Sequence, residues 1–198
     1  MLDGVVVIYP QGTPGIRGGD LRTWNAVHCC GRAQDDGSDD VAFLDRIIQL
    51  ASDAIQIDAT RIGVTGHSNG GMMAHRYGAE RSDVVSHIMP VAGSVGGATP
   101  PGSTWRLPPA PSAAIDVLII HAIDDPRVPY HGGEGENLGA QRDDASVQDA
   151  VDFWQSHGST VEVVTTDGGH GWPGGRADVS QAPREPDASR LIIDRLLQ

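Results

Sequence analysis

The sequence predicts an α/β fold in which a mainly parallel sheet carries helices on both faces, within a single domain spanning residues 1–198. Three observations predict it. Short apolar runs alternate with amphipathic segments at helical spacing, in βαβα order. Residues 115–121 are almost continuously apolar, as in a parallel strand covered on both faces. The chain, at 198 residues, shows no repeat, coiled coil or internal boundary, a length that suits one core.

The elements follow in order. Residues 4–10, Gly-Val-Val-Val-Ile-Tyr-Pro, form a β-branched run closed by proline and read as a buried strand. Residues 11–37 are glycine-rich and lack a period, which predicts an irregular surface excursion. Ser38, Asp39 and Asp40 offer helix caps, and Val41, Leu44, Ile47, Ile48, Ala51 and Ile55 recur at helical spacing to about residue 56. Residues 61–65 make a strand and 69–79 a helix. Residues 86–92 make another strand, an assignment that Pro90 weakens. A Pro- and Gly-rich segment over 96–113 leads to the strand at 115–121. The helix over 146–155 carries Val147, Val151 and Trp154 on one face and stops at His157-Gly158, residues 161–165 are the last strand, and Asp187 caps a final helix.

Composition narrows the partners. The net charge of −12 repels nucleic-acid backbones and anionic membranes at long range. No apolar run approaches the roughly 20 residues of a membrane span, and Met1-Leu-Asp-Gly lacks the basic-then-apolar pattern of a secretion signal, so the chain is read as soluble and without an address. Glycine and proline number 26 and 13, rich in turns but short of a disordered composition. Cys29 and Cys30 are adjacent, which leaves a vicinal ring, pairing with other chains or free thiols open.

The stretch GHSNG, residues 66–70, sits between a predicted strand and a predicted helix, which is the setting of a nucleophile elbow around Ser68. A serine hydroxyl needs a base, and the base needs a carboxylate to hold its tautomer. In open α/β hydrolases these follow in the order serine, acid, histidine, each on a loop after a strand. Asp124 and Asp125 lie just past the strand at 115–121, and one of them is expected to be the acid. His170, flanked by glycines after the strand at 161–165, is expected to be the base. Of the other histidines, His28, His131 and His157 read as solvated, His75, His87 and His121 as structural, and His67 as packing or substrate contact. HExxH, a paired cysteine motif and a phosphate loop are all missing, so neither metal nor cofactor is expected.

Several blocks resemble the polyhydroxybutyrate depolymerase and feruloyl esterase family. They are Tyr9-Pro10-Gln-Gly-Thr13, Trp24-Asn25 with Cys29-Cys30-Gly31, Asp39-Asp40-Val41-Ala-Phe43-Leu44, Gly66-His-Ser-Asn-Gly-Gly-Met-Met73, Pro90-Val-Ala-Gly93, Asp125-Pro126 with Val128-Pro129-Tyr130, and Gly169-His170-Gly-Trp-Pro-Gly174. The resemblance runs from about residue 4 to 175. It implies an α/β-hydrolase fold and ester hydrolysis through an acyl-enzyme, with Ser68 as nucleophile, Asp125 as acid and His170 as base. Where that family shows HGTxD, this chain has His121-Ala-Ile-Asp-Asp125, which favours Asp125 over Asp124. Relatives of this kind are often secreted.

The resemblance also implies strands ahead of the first one seen here, so the domain reads as N-terminally shortened. The amide of Asn69 is then one oxyanion donor. Strand 5–9 is expected to fill the slot beside strand 61–65, bringing the turn at Pro10, Gln11 and Gly12 close enough for Gln11 to supply a second. A homodimer lending the strand and a truncated sequence are the other arrangements considered. Trp172, His67 and Trp24 are expected to line a substrate pocket. The expected activity is hydrolysis of small acyl or aryl esters such as feruloyl, acetyl or hydroxyalkanoate esters. The alternatives are a catalytically impaired hydrolase domain with a binding or assembly role and, less favoured, a peptidase of related fold.

Overall fold

The computed structural model describes residues 4–15, 21–136, 141–174 and 186–198. In chain order the elements are β1 (Thr13–Pro14), β2 (Arg22–Thr23), α1 (Gly31–Asp35), α2 (Asp40–Ala54), β3 (Gly63–His67), α3 (Asn69–Glu80), β4 (His87–Val91), β5 (Gly97–Ala98), β6 (Asp116–Ala122), β7 (Gly133–Glu134), β8 (Asp143–Asp144), α4 (Val147–Ser156), β9 (Thr160–Thr166) and α5 (Ala188–Leu196). Their caps are those the sequence offers. Asp39 accepts from the Ala42 amide at the start of α2, Ser146 and Asp149 form a capping box on α4, and Asp187 accepts from the Arg190 amide on α5.

The central sheet has the order β3-β4-β6-β9, with every pair parallel. The period of two sorts its side chains onto two cores. Ile88, Val117 and Ile119 pack with Met72 and Tyr77 of α3 and with Trp154 of α4, while Met89, Val91, Leu118 and Ile120 pack with Ala188 and Ile192 of α5. Helices thus cover both faces, and every strand of the sheet delivers its carboxyl end to the same rim.

Pro90 does sit in a central strand. Even-numbered residues of β4 face β6, as the bond from the Ala92 amide to the Ile120 carbonyl shows. Pro90 has no N–H to offer there, and the register runs from Ile88↔Val117 to Val91↔Ile120 with nothing between.

The expectation for strand 5–9 is not met. Residues 6–10 form no strand, and no strand among the described residues pairs with the outer edge of β3. Val6, Val7, Ile8 and Tyr9 are 47–86% exposed. A β-branched run favours a pleated, half-buried surface, and without a neighbouring ladder it has neither pairing nor burial. The expected irregular stretch over 11–37 is also more ordered than its composition suggests, holding the β1–β2 pair and α1. β5, β8 and β7 form a separate small antiparallel sheet. No helix among the described residues is long and apolar enough to cross a membrane.

Candidate active site

Ser68 stands between the last residue of β3 and the first of α3, with φ 56° and ψ −120°. Such a positive φ is uncommon for a residue with a side chain and costs on the order of 1–3 kcal/mol, so the surroundings must impose it. They do so through close backbone packing. A Cβ on Gly66 would lie 2.5 Å from the Gly70 carbonyl, and one on Gly93 would lie 2.7 Å from Gly71 and Met72. Gly70, the second glycine of the motif, has open space around it. The steric demand therefore falls on the 66, 71 and 93 contacts, which seat the start of α3 against the end of β4.

His170 arrives from the loop after β9. Its Nε2 lies 2.8 Å from Ser68 Oγ and its Nδ1 2.8 Å from Asp125 Oδ2, so the three groups join in one hydrogen-bonded line. Asp125 is buried. Its Oδ1 accepts the amides of Arg127 at 2.8 Å and Val128 at 3.0 Å, and its Oδ2 also faces His121 Nε2 at 3.3 Å. Burial would push this carboxyl up, but the donors from His121 and His170 and the two amides outweigh it and hold it well below the usual carboxylate range. An ionised Asp125 keeps the proton on His170 Nδ1 and leaves the Nε2 lone pair facing the serine hydroxyl.

His67 packs its ring 4.8 Å from that of His170, and burial, reinforced by the neighbouring imidazole, lowers its pKa. Asp124 does not touch the imidazole. Its Oδ1 accepts the amides of Gly168 and Gly169, each at 3.0 Å.

Ser68 opens into a cleft of about 930 Å³ that Trp24, His67, His170 and Trp172 help to line. Pro10 reaches this cleft, but Gln11 is exposed and does not border it, so the expected place of Gln11 beside Ser68 is not found. The reason is the missing strand at 5–9. Trp172 is tied by its indole N–H to Ser189 Oγ at 3.1 Å and packs against the α5 side of the sheet, so it anchors the histidine loop as well as walling the cleft. Asn69 clamps the backbone of Trp24, accepting its N–H at 2.7 Å and donating to its carbonyl at 3.0 Å, and Trp24 in turn stacks on Phe43. The sulfurs of Cys29 and Cys30 are joined, and both residues border the cleft.

Sequence reasoning missed two histidines. His121 read as structural, because its place in a strand gives no sign that it donates to the acid four residues on. His28 read as solvated, yet it is 1% exposed, with Nε2 3.1 Å from both Asp144 Oδ1 and Ser94 Oγ. Ser94 itself donates to Asp144 at 2.9 Å, and Arg142 Nε reaches the same oxygen at 2.8 Å. This second serine, histidine and aspartate group is no proton relay, since the serine and the aspartate meet the imidazole at the same nitrogen. It ties three loops together. Among the described residues, no group of three or more His, Cys, Asp or Glu is placed to hold a metal ion.

No established family profile matches the chain. It is 29% identical over 129 residues to a protein provisionally named esterase NocK from Nocardia uniformis subsp. tsuyamanensis, a match covering 65% of this chain and 33% of that protein. It is 27% identical over 152 residues to a protein provisionally named feruloyl esterase C from Aspergillus clavatus, covering 68% and 50% respectively. The chain thus spans one third to one half of the length of these curated relatives. The crystal structure of native pOPH superposes with a TM-score of 0.56 and 16% identity, covering 91% of this chain and 65% of that one. A variant of Arabidopsis thaliana SOBER1 gives 0.52 and 17%, covering 80% and 64%. The architecture they share with this chain, a parallel sheet flanked by helices, is the α/β-hydrolase fold.

Proposed function

We propose that the chain is a serine carboxylic ester hydrolase built on one α/β-hydrolase domain, with Ser68 as nucleophile, His170 as general acid and base, and Asp125 as the carboxylate that orients it. The observation that carries this reading is the unbroken line of two 2.8 Å hydrogen bonds from Ser68 through His170 to the buried Asp125. The esterase names of the curated relatives support the choice of an ester as substrate.

In this reading Ser68 Oγ attacks the ester carbonyl while His170 Nε2 takes the hydroxyl proton, and Asp125 stabilises the imidazolium. The tetrahedral oxyanion meets the Asn69 amide, which opens α3 where helix N–H groups lack intrahelical partners. The alkoxide leaves with the proton from His170, giving an acyl-Ser68 ester and free alcohol. Water, deprotonated by the same imidazole, then releases the acid and restores the serine. The substrates proposed are small acyl or aryl esters, with feruloyl, acetyl and hydroxyalkanoate groups as the candidates, and Trp24 and Trp172, which line the cleft, as aromatic walls.

The test is turnover of p-nitrophenyl acetate, methyl ferulate and a 3-hydroxybutyrate ester by the wild type and by Ser68→Ala and His170→Ala. Each variant is expected to lose roughly 10⁴-fold or more in kcat. Equal rates in wild type and Ser68→Ala would remove the proposal.

A further inference from the structure

We infer that Asp124 is a positioning residue for His170: its carboxylate holds the two peptide groups that precede the imidazole, and so fixes where the ring stands over Ser68. This rests on the serine-esterase reading and assigns a role that the sequence pattern left unfilled once Asp125 became the acid.

The argument starts at the end of the sheet. β6 and β9 pair in register up to Ala122↔Thr166, and the Ile123 amide then donates to the Thr166 carbonyl at 2.9 Å. Beyond that point the ladder has no backbone partners to continue it, and side chains take over. Asp124 Oδ1 accepts from Gly168 and Gly169, and Asp125 Oδ2 accepts from His170. Consecutive residues of the acid loop therefore grip successive residues of the histidine loop, so the two strands stay laced past the sheet edge.

The histidine loop has particular need of such a grip. Gly168 has φ 141° and Gly169 φ 64°, and with Gly171 they surround His170 on both sides. Glycines have more backbone states to lose than any other residue, so an untethered loop would spread the imidazole over many positions. Among the described residues the Gly171 amide also donates to the Gly169 carbonyl at 2.9 Å, the Pro173 carbonyl accepts from Ala188 at 3.1 Å and the His170 backbone bonds to His67, but none of these ties reaches the acid loop. Two amides donating to one carboxylate oxygen, 44 and 45 residues away in sequence, select one arrangement. The same two bonds hold the Asp124 carboxyl below its usual range, so it accepts them as the carboxylate at neutral pH. Asp124 is exposed, so its contribution is to the population of the reactive geometry rather than to the stability of the fold. A base displaced by about 1 Å can slow a reaction on the order of 10²-fold.

The experiment compares kcat, KM and thermal midpoint for wild type, Asp124→Ala, Asp124→Asn and Ser68→Ala with p-nitrophenyl acetate. Asp124→Ala is expected to lower kcat about tenfold or more, with KM within about twofold and the midpoint unchanged. Asp124→Asn keeps an oxygen that accepts both amides and is expected to return kcat to within about threefold of wild type. An undiminished kcat in Asp124→Ala overturns the inference, and so does an Asp124→Asn variant as slow as the alanine. If the alanine variant melts early, the asparagine variant still decides, because its tenfold loss would assign the effect to charge and not to the tether. Turnover that survives Ser68→Ala would instead defeat the esterase reading, whatever Asp124 does.

Discussion

His121 places its Nε2 3.3 Å from Asp125 Oδ2, the same oxygen that His170 Nδ1 reaches at 2.8 Å. The His121 Nε2 also lies 2.8 Å from the Val128 carbonyl, so it ties the acid to the loop that follows it. His121→Phe preserves a ring of similar bulk but removes the donor. The expected result is a loss of about 1.5–3 kcal/mol in urea unfolding at pH 7, the range for hydrogen bonds to charged groups, and about a tenfold fall in kcat/KM. The Asp125 pKa is depressed on folding, so its stabilisation is present above the carboxylate range and fades as pH falls through it. His121→Phe should move that acid loss to higher pH. Unchanged unfolding and turnover would mean that the third side of the acid is idle.

Ser68 holds strain that a glycine would release. At φ 56° a glycine has no Cβ to clash, although its freer unfolded chain offsets part of the gain. Ser68→Gly is expected to melt about 2–4 °C above wild type, corresponding to about 1 kcal/mol for a chain of this size, with no esterase turnover. Ser68→Ala should be equally inactive and no more stable than wild type. Differential scanning of the three proteins checks this, and a glycine variant melting no higher than the alanine one would show that the elbow stores no strain.

The elements easiest to read from sequence were those whose cause is local. β6 and β9 announce themselves as β-branched runs, α4 by Ser146 and its helical stripe, and the elbow by the glycine that must precede Ser68. His170 was legible because chain order and flanking glycines left few other bases. What sequence could not show depends on partners far away. His28 is buried against Asp144, 116 residues on, and residues 6–9 stay exposed because strand character needs a neighbour that no local pattern supplies. The small sheets fail for a different reason. Two-residue strands such as β5, β7 and β8 are too short to carry a period.

The oxyanion role proposed for Asn69 belongs to its backbone amide and is separable from the work of its side chain. The amide opens α3 whatever the side chain is, whereas the carboxamide clamps Trp24, a wall of the cleft. Asn69→Ala should therefore raise KM for p-nitrophenyl acetate severalfold, leave kcat within about threefold, and lower unfolding stability by about 1–3 kcal/mol. A collapse of kcat at constant KM would contradict this division and place the side chain in the chemistry itself.

Trp154 donates its indole N–H to His75 Nδ1 at 3.0 Å, and both rings are wholly inside the core. The imidazole must accept there, and protonating it would set donor against donor. Burial pushes the His75 pKa down to about 3, far below its unfolded value near 6.5. The unfolded chain therefore takes up this proton first. The contribution of His75 is complete above about pH 6.5 and declines as pH falls toward 3, by about 3 kcal/mol at pH 4. Urea titrations from pH 7 to pH 4, followed by tryptophan fluorescence, should show wild type losing that much more stability than His75→Gln, whose amide oxygen can accept the same N–H but takes no proton. Parallel pH slopes in the two proteins would mean that His75 is not held neutral by the core.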